Sequence, residues 1–153
     1  MKFWQDIGSN QVLVSSAIGW VVAQVLKTLI DFSLNRSFSA ERLVGSGGMP
    51  SSHSSTVCAL LVSSGICYGV SSFEFAVSFV LASVVMYDAI GVRQETGKQA
   101  KLLNMIMDQN ILKMDNLEFQ KRLKEFVGHT PLQVFAGAIL GIGLALLTNL
   151  FYV

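Results

Sequence analysis

The chain has only two histidines, and each stands beside hydroxyls and a proline. His53 lies in the polar stretch "GGMPSSHSST", residues 47–56, and His129 in "GHTP". The first stretch has the make-up of a helix entrance. Gly47 and Gly48 loosen the backbone, Pro50 suits a first helical turn, and Ser51, Ser52, Ser54 and Ser55 offer oxygens to exposed N–H groups. A helix N-terminus ringed by hydroxyls attracts anions. An imidazole in that first turn can protonate a leaving oxygen or attack phosphorus. The plainer reading, serines that cap a helix and a histidine resting at an interface, stands beside it. "GHTP" repeats the arrangement with Thr130 and Pro131, and the same two readings apply.

A third polar group sits in "YDAIGVRQETGKQAKLLN". Asp88, close to the end of an apolar run, needs a partner, and Arg93 or a histidine fits that need. Five positions apart, Asp88 and Arg93 do not share a stripe of a straight helix. Gly91 is the point at which the helix would open to bring them together. A structural ion pair is the alternative.

Other chemistries find no support. "GVRQETGKQ" has the wrong spacing for a P-loop, with Gln where a magnesium-binding Ser or Thr belongs. The histidines and distant carboxylates form no zinc spacing, so no metal or cofactor is expected. No G-x-S-x-G elbow is present. Acids Glu95, Asp108, Asp115, Glu118 and Glu125 are interspersed with the cations and no aromatic platform accompanies them, which argues against nucleic acid as a partner.

The elements that must position these residues are apolar. Of 153 residues 52% are hydrophobic and 14% charged, against about 25% charged in an ordinary soluble domain; the mean hydropathy is +0.53. The net charge of +1 points to no partner by itself. Four stretches approach the roughly 20 residues that cross a bilayer: 12–30, 51–70, 73–92 and 131–153, the second and third being the more polar. Ser71 and Ser72 alone separate the middle two, which predicts an antiparallel hairpin. The "DFSLNRSFSAERLVGSGG" link predicts a re-entrant or interfacial connection. Residues 93–128 alternate leucines with charges and predict an amphipathic helical segment; its 98–125 part is a candidate lid. The expected fold is an all-α, single-domain, polytopic membrane bundle of about four transmembrane helices. Cys58 and Cys67 fall on opposite helix faces and read as small apolar residues. The N-terminus carries no pattern of a cleaved signal.

Threading the chain through a membrane four times puts Lys27, His53, Asp88, Arg93 and His129 at one rim. It also puts every one of the 11 lysines and arginines except Lys2 on that side. By the positive-inside rule that side is cytoplasmic, in a multi-pass protein of the cell membrane. Gly65 with Gly69 and Gly137 with Gly141 have the spacing that lets membrane helices approach closely, which leaves association with other chains, including a homo-oligomer, open.

Taken in order, "GGMPSSHSS", "YDAIGVRQETGKQAKLLN" and "GHTP" resemble the divergent branch of the type 2 phosphatidic acid phosphatase superfamily, related to acid phosphatases and vanadium-dependent haloperoxidases. The resemblance runs from the Lys27 region to the last helix. It implies metal-independent hydrolysis of a lipid phosphate or diphosphate through a phosphohistidine. By that resemblance His53 is the general acid, His129 the nucleophile and Asp88 the residue orienting a histidine. Ser51 and Ser52 hold phosphate, and Lys27, Arg36 and Arg93 neutralise it, with Arg42 as an alternative to Arg36. Ser52 stands where the superfamily has glycine, and Gln133 where it has aspartate. The competing expectations are a non-catalytic protein that binds or helps move phosphorylated lipids, and a structural subunit joined to partners through its glycine-bearing helices.

Overall fold

The structure, a computed structural model, describes residues 2–36, 48–108, 123 and 129–152, with the side chains of Asn35, Arg93 and Asp108 left aside. Arg42, Gly47, most of the "DFSLNRSFSAERLVGSGG" link and the distal part of the candidate lid lie outside the described residues. Six helices are described: α1 (Lys2–Ser9), α2 (Gln11–Asn35), α3 (Ser52–Tyr68), α4 (Phe73–Ile90), α5 (Val92–Asp108) and α6 (Pro131–Tyr152).

Local chemistry sets most of the helix ends. Asn10 caps α2 by accepting from the Leu13 N–H. At the other end Arg36 turns left-handed, φ 49°, and donates its N–H to the Phe32 carbonyl. Ser51 is the N-cap of α3, and Gly69 at φ 85° ends it, a backbone angle that side chains resist. Ser72 then caps α4 through the Phe75 N–H, which closes the tight hairpin. Pro50 lies just outside α3 rather than in its first turn. At Gly91 the chain kinks, φ −90° and ψ −87°, and continues at once as α5. The short α1, with Phe3 and Trp4 exposed, is a helix that the apolar stretches do not announce.

Among the described residues, three helical stretches are long and apolar enough to cross a membrane: Gln11–Leu34, Phe73–Met107 through the Gly91 kink, and Pro131–Tyr152. The fourth element, α3, has 17 residues, about 25 Å at 1.5 Å per residue. Its brevity and polarity have one cause. α3 packs against α2, α4 and α6 together, so it is the axis of the bundle, shielded from lipid by its neighbours.

Helices in lipid gain no hydrophobic energy from meeting and hold together by close packing and hydrogen bonds. The interior is built accordingly. Along α3 Ser52, Ser54, Ser55, Val57, Cys58, Ala59, Ser63 and Ser64 are buried. The Ser55 hydroxyl donates to the Gly19 carbonyl of α2 at 2.9 Å, and the Ser64 and Ser78 hydroxyls meet at 3.0 Å between α3 and α4. A Cβ on Gly137 would land on the Ser51 carbonyl oxygen, and one on Gly141 on that of Ser55. The Gly137–Gly141 pair is therefore spent inside the chain, seating α6 on the α3 backbone. The large apolar side chains face outward: Leu29, Val80, Val84, Phe135, Ile139 and Leu146 are all exposed. The far end is closed by Gln11, which donates to Asn149 at 2.9 Å and accepts from the Cys67 thiol at 3.3 Å.

Candidate active site at the histidine rim

Lys27, His53, Asp88 and His129 converge because three helix ends meet against the lower half of α2. α3 and α6 begin at this rim, and α4 ends there. The lower half of α2 closes it, with the Lys27 stem against Gly48: a Cβ on Gly48 would lie 3.1 Å from Lys27 Cγ. The Ser51 N–H donates to the Gln133 carbonyl at 3.0 Å, joining α3 to α6, and the His129 N–H donates to the Ala89 carbonyl at 3.1 Å, joining α6 to α4.

His53, in the first turn of α3, and His129, just before α6, come within 6.4 Å between ring centroids at an interplanar angle of 60°. They are 76 residues apart in sequence and neighbours in space. His53 is half-buried, whereas His129 is only 3% exposed. The amides of Ser52 and His53 belong to the first turn of α3, where no preceding carbonyl of the helix can receive them. Their dipole favours negative charge at this spot.

Lys27 is 2% exposed, a cation buried at the foot of α2, and its Nζ donates to Gln24 Oε1 at 2.6 Å. A buried ammonium needs such oxygens, because burying a charge without partners is costly. Asp31 follows one turn later, half-buried. Gln24, Lys27 and Asp31 recur at spacings of three and four, a polar stripe on an otherwise apolar helix. That stripe was readable from the sequence, yet only Lys27 was singled out there.

The other sequence candidates separate. Asp88 is half-buried on the last turn of α4, adjacent to the Ala89 carbonyl that holds His129. Arg93 is the second residue of α5, just past the Gly91 kink. Arg36 is exposed at the C-cap of α2, nine positions after Lys27, a rise of about 13 Å at helical geometry. The structure does not gather it with the buried group. Ser51 is fully buried and its oxygen accepts from both the N–H and the hydroxyl of Ser54, at 3.3 and 3.0 Å. Its contribution is thus to shape the helix entrance. Ser52 is buried in the first turn beside His53.

The contact that orients His129 comes from a residue outside the sequence-derived set. Gln133 Oε1 lies 3.1 Å from His129 Nδ1 and 3.1 Å from the Thr130 N–H, while the Thr130 hydroxyl oxygen accepts the Gln133 N–H at 3.4 Å. Gln133 is thus placed on Nδ1. Its spacing of four from His129 at a helix start was the available signal. Among the described residues no group of three or more His, Cys, Asp or Glu side chains gathers as a metal site.

A family model described as "Divergent PAP2 family" matches residues 8–144. The chain is also similar to the uncharacterized membrane protein YuiD of Bacillus subtilis (strain 168), 38% identical over 156 residues, which span 96% of this chain and 99% of that protein. No solved structure matches.

Proposed function

This chain belongs to the Divergent PAP2 family, and from that premise we propose that it is a membrane hydrolase that removes phosphate from a lipid phosphate or diphosphate at the histidine rim. The observation that carries the reading is the 6.4 Å approach of the His53 and His129 rings at the junction of two helix N-termini. At that separation one phosphoryl group reaches both rings, with first-turn amides and the buried Lys27 to take up its charge.

The steps follow from the two imidazoles. His129 Nε2 attacks phosphorus, and the P–O bond to the lipid breaks as His53 protonates the leaving oxygen. A water then attacks the phosphohistidine, its proton passing to His53. The P–N bond breaks, inorganic phosphate leaves, and both rings return to their starting states. In this reading Asp88, on the last turn of α4, orients a histidine, and Arg93, at the start of α5, neutralises phosphate charge. The lysine and arginine bias supports a cytoplasmic rim by the positive-inside rule, and the substrate proposed is accordingly a lipid of the inner leaflet.

Purified protein in detergent, given a diacylglycerol phosphate and a long-chain prenyl diphosphate in mixed micelles, is expected to release inorganic phosphate. His53→Ala and His129→Ala should each abolish it with the fold intact. Unchanged release by both variants would sink the reading.

One observation favours a second reading. His129 is oriented by the neutral amide of Gln133, and a neutral amide stabilises a charged imidazole far less than a carboxylate does. A site tuned in that way suits binding or helping move phosphorylated lipids without turnover. Saturable binding of those lipids with no phosphate released would select it.

A further inference from the structure

We propose that Gln133 is a positioning residue that locks His129 into the neutral tautomer protonated on Nδ1, so that Nε2 carries the lone pair. Amide oxygen and nitrogen are not told apart by shape, so a glutamine is oriented by its neighbours. Here the Thr130 backbone N–H, which can only donate, faces Gln133 at 3.1 Å. The atom it faces is therefore the oxygen, Oε1. The same oxygen lies 3.1 Å from His129 Nδ1. An amide oxygen only accepts, so Nδ1 must carry the hydrogen, and the neutral ring has its lone pair on Nε2.

The arrangement is rigid because both ends of the segment are tied. The His129 N–H is bound to the Ala89 carbonyl of α4, and the Gln133 carbonyl receives the Ser51 N–H of α3. Gln133 itself sits in the first turn of α6, its N–H returned to the Thr130 hydroxyl. With His129 only 3% exposed, bulk water does not compete for Nδ1. The tautomer preferred by a histidine side chain in water, Nε2–H, is the one that this site opposes.

A neutral orienter has a second effect. A carboxylate on Nδ1 would favour the imidazolium, whereas an amide leaves the ring neutral to lower pH. Among the described residues, the ionisable groups on the elements that form this rim are His53 of α3, Lys27 and Asp31 of α2, and Asp88 of α4, with position 93 just after it at the start of α5. They are unchanged by substitution at position 133, so a shift on that substitution reports on the orienter. The catalytic meaning of the lock rests on the hydrolase reading above; the tautomer itself does not.

The test uses that independence. With two histidines in the chain, nitrogen-15 labelling of histidine in the detergent-solubilised protein gives two ring spin systems, assigned with a His53→Asn variant. At pH 8 the His129 Nε2 is expected at the shift of an unprotonated imidazole nitrogen and Nδ1 at that of a protonated one. Gln133→Leu should move His129 toward the Nε2–H form. Gln133→Glu, which keeps an acceptor oxygen and the cap geometry, should retain Nδ1–H and raise the pH at which the ring becomes charged. If phosphate is released, Gln133→Leu should lower kcat roughly 10- to 100-fold, the scale known for metal-bound imidazoles that lose the partner orienting them, with KM within about twofold. A wild-type His129 found as Nε2–H or doubly protonated at pH 8, or a tautomer unchanged in a folded Gln133→Leu protein, would overturn the proposal. Turnover with the wrong tautomer would overturn the lock and leave the hydrolase reading standing; the predicted tautomer without turnover would do the reverse.

Discussion

The backbone N–H of Ser51 donates to the carbonyl of Gln133 at 3.0 Å, and that bond ties the N-cap of α3 to the first turn of α6. His53 lies two residues beyond one end of the tie and His129 four residues before the other. The approach of the two rings thus follows from how α3 seats against α6. That seating in turn depends on Gly137 and Gly141, which let the α3 carbonyls of Ser51 and Ser55 approach where a Cβ would otherwise stand.

Gly141→Ala is accordingly expected to destabilise the bundle by about 1–3 kcal/mol, the scale of overpacking. Gly143→Ala, whose added Cβ meets nothing within 4 Å, should be neutral or slightly stabilising. Thermal unfolding in one detergent compares the two; equal effects would contradict the proposed α3–α6 seating.

Much of this arrangement was legible in the sequence. The long apolar runs, the Ser71–Ser72 hairpin and the shared rim of Lys27, His53, Asp88 and His129 follow from hydropathy and strand-free threading alone. The role of α3 was not, because a helix shielded by three others needs neither the length nor the apolarity of a lipid-facing span. Gln133 was read as a departure from an aspartate, since a sequence shows the loss of a charge but not the amide oxygen that takes its place. Helix α1 escaped because eight residues carry too little periodicity beside a long apolar run.

Lys27 and Arg36 should behave differently despite both being cations on α2 or its cap. Lys27→Met removes a buried charge at the site, and a hydrogen bond to a charged group contributes about 1.5–3 kcal/mol. KM for the lipid phosphate should therefore rise roughly 10- to 100-fold. Arg36→Ala, at an exposed cap, should change it less than about twofold. Steady-state kinetics in mixed micelles separates them, and equal losses would place Arg36 in the site as well.

Asn104 is expected to hold Leu123. It is 3% exposed, donates to the Leu123 carbonyl at 2.9 Å and accepts the Leu123 N–H at 3.0 Å. Asn104→Ala removes both bonds, so limited proteolysis near Leu123 should become faster with the rest of the bundle intact. An unchanged cleavage pattern would show that Asn104 does not hold Leu123.

The orientation is checked with single cysteines in a chain whose Cys58 and Cys67 are replaced by alanine and serine. Lys98→Cys, on the exposed side of α5, should react with a membrane-impermeant thiol reagent only after cells are opened. Ser71→Cys, in the turn at the far end, should react in intact cells. The reverse pattern would invert the topology and move the histidine rim to the outer face.

The central claim is that two histidines held at one rim dephosphorylate a lipid. Its most direct measurement is inorganic phosphate released from a diacylglycerol phosphate or a long-chain prenyl diphosphate by the purified chain, beside His53→Ala and His129→Ala proteins that retain the wild-type melting temperature. The account predicts release by the wild type and none above background by either variant. Equal release by all three, or none by the wild type under conditions where it binds the lipid saturably, would contradict it.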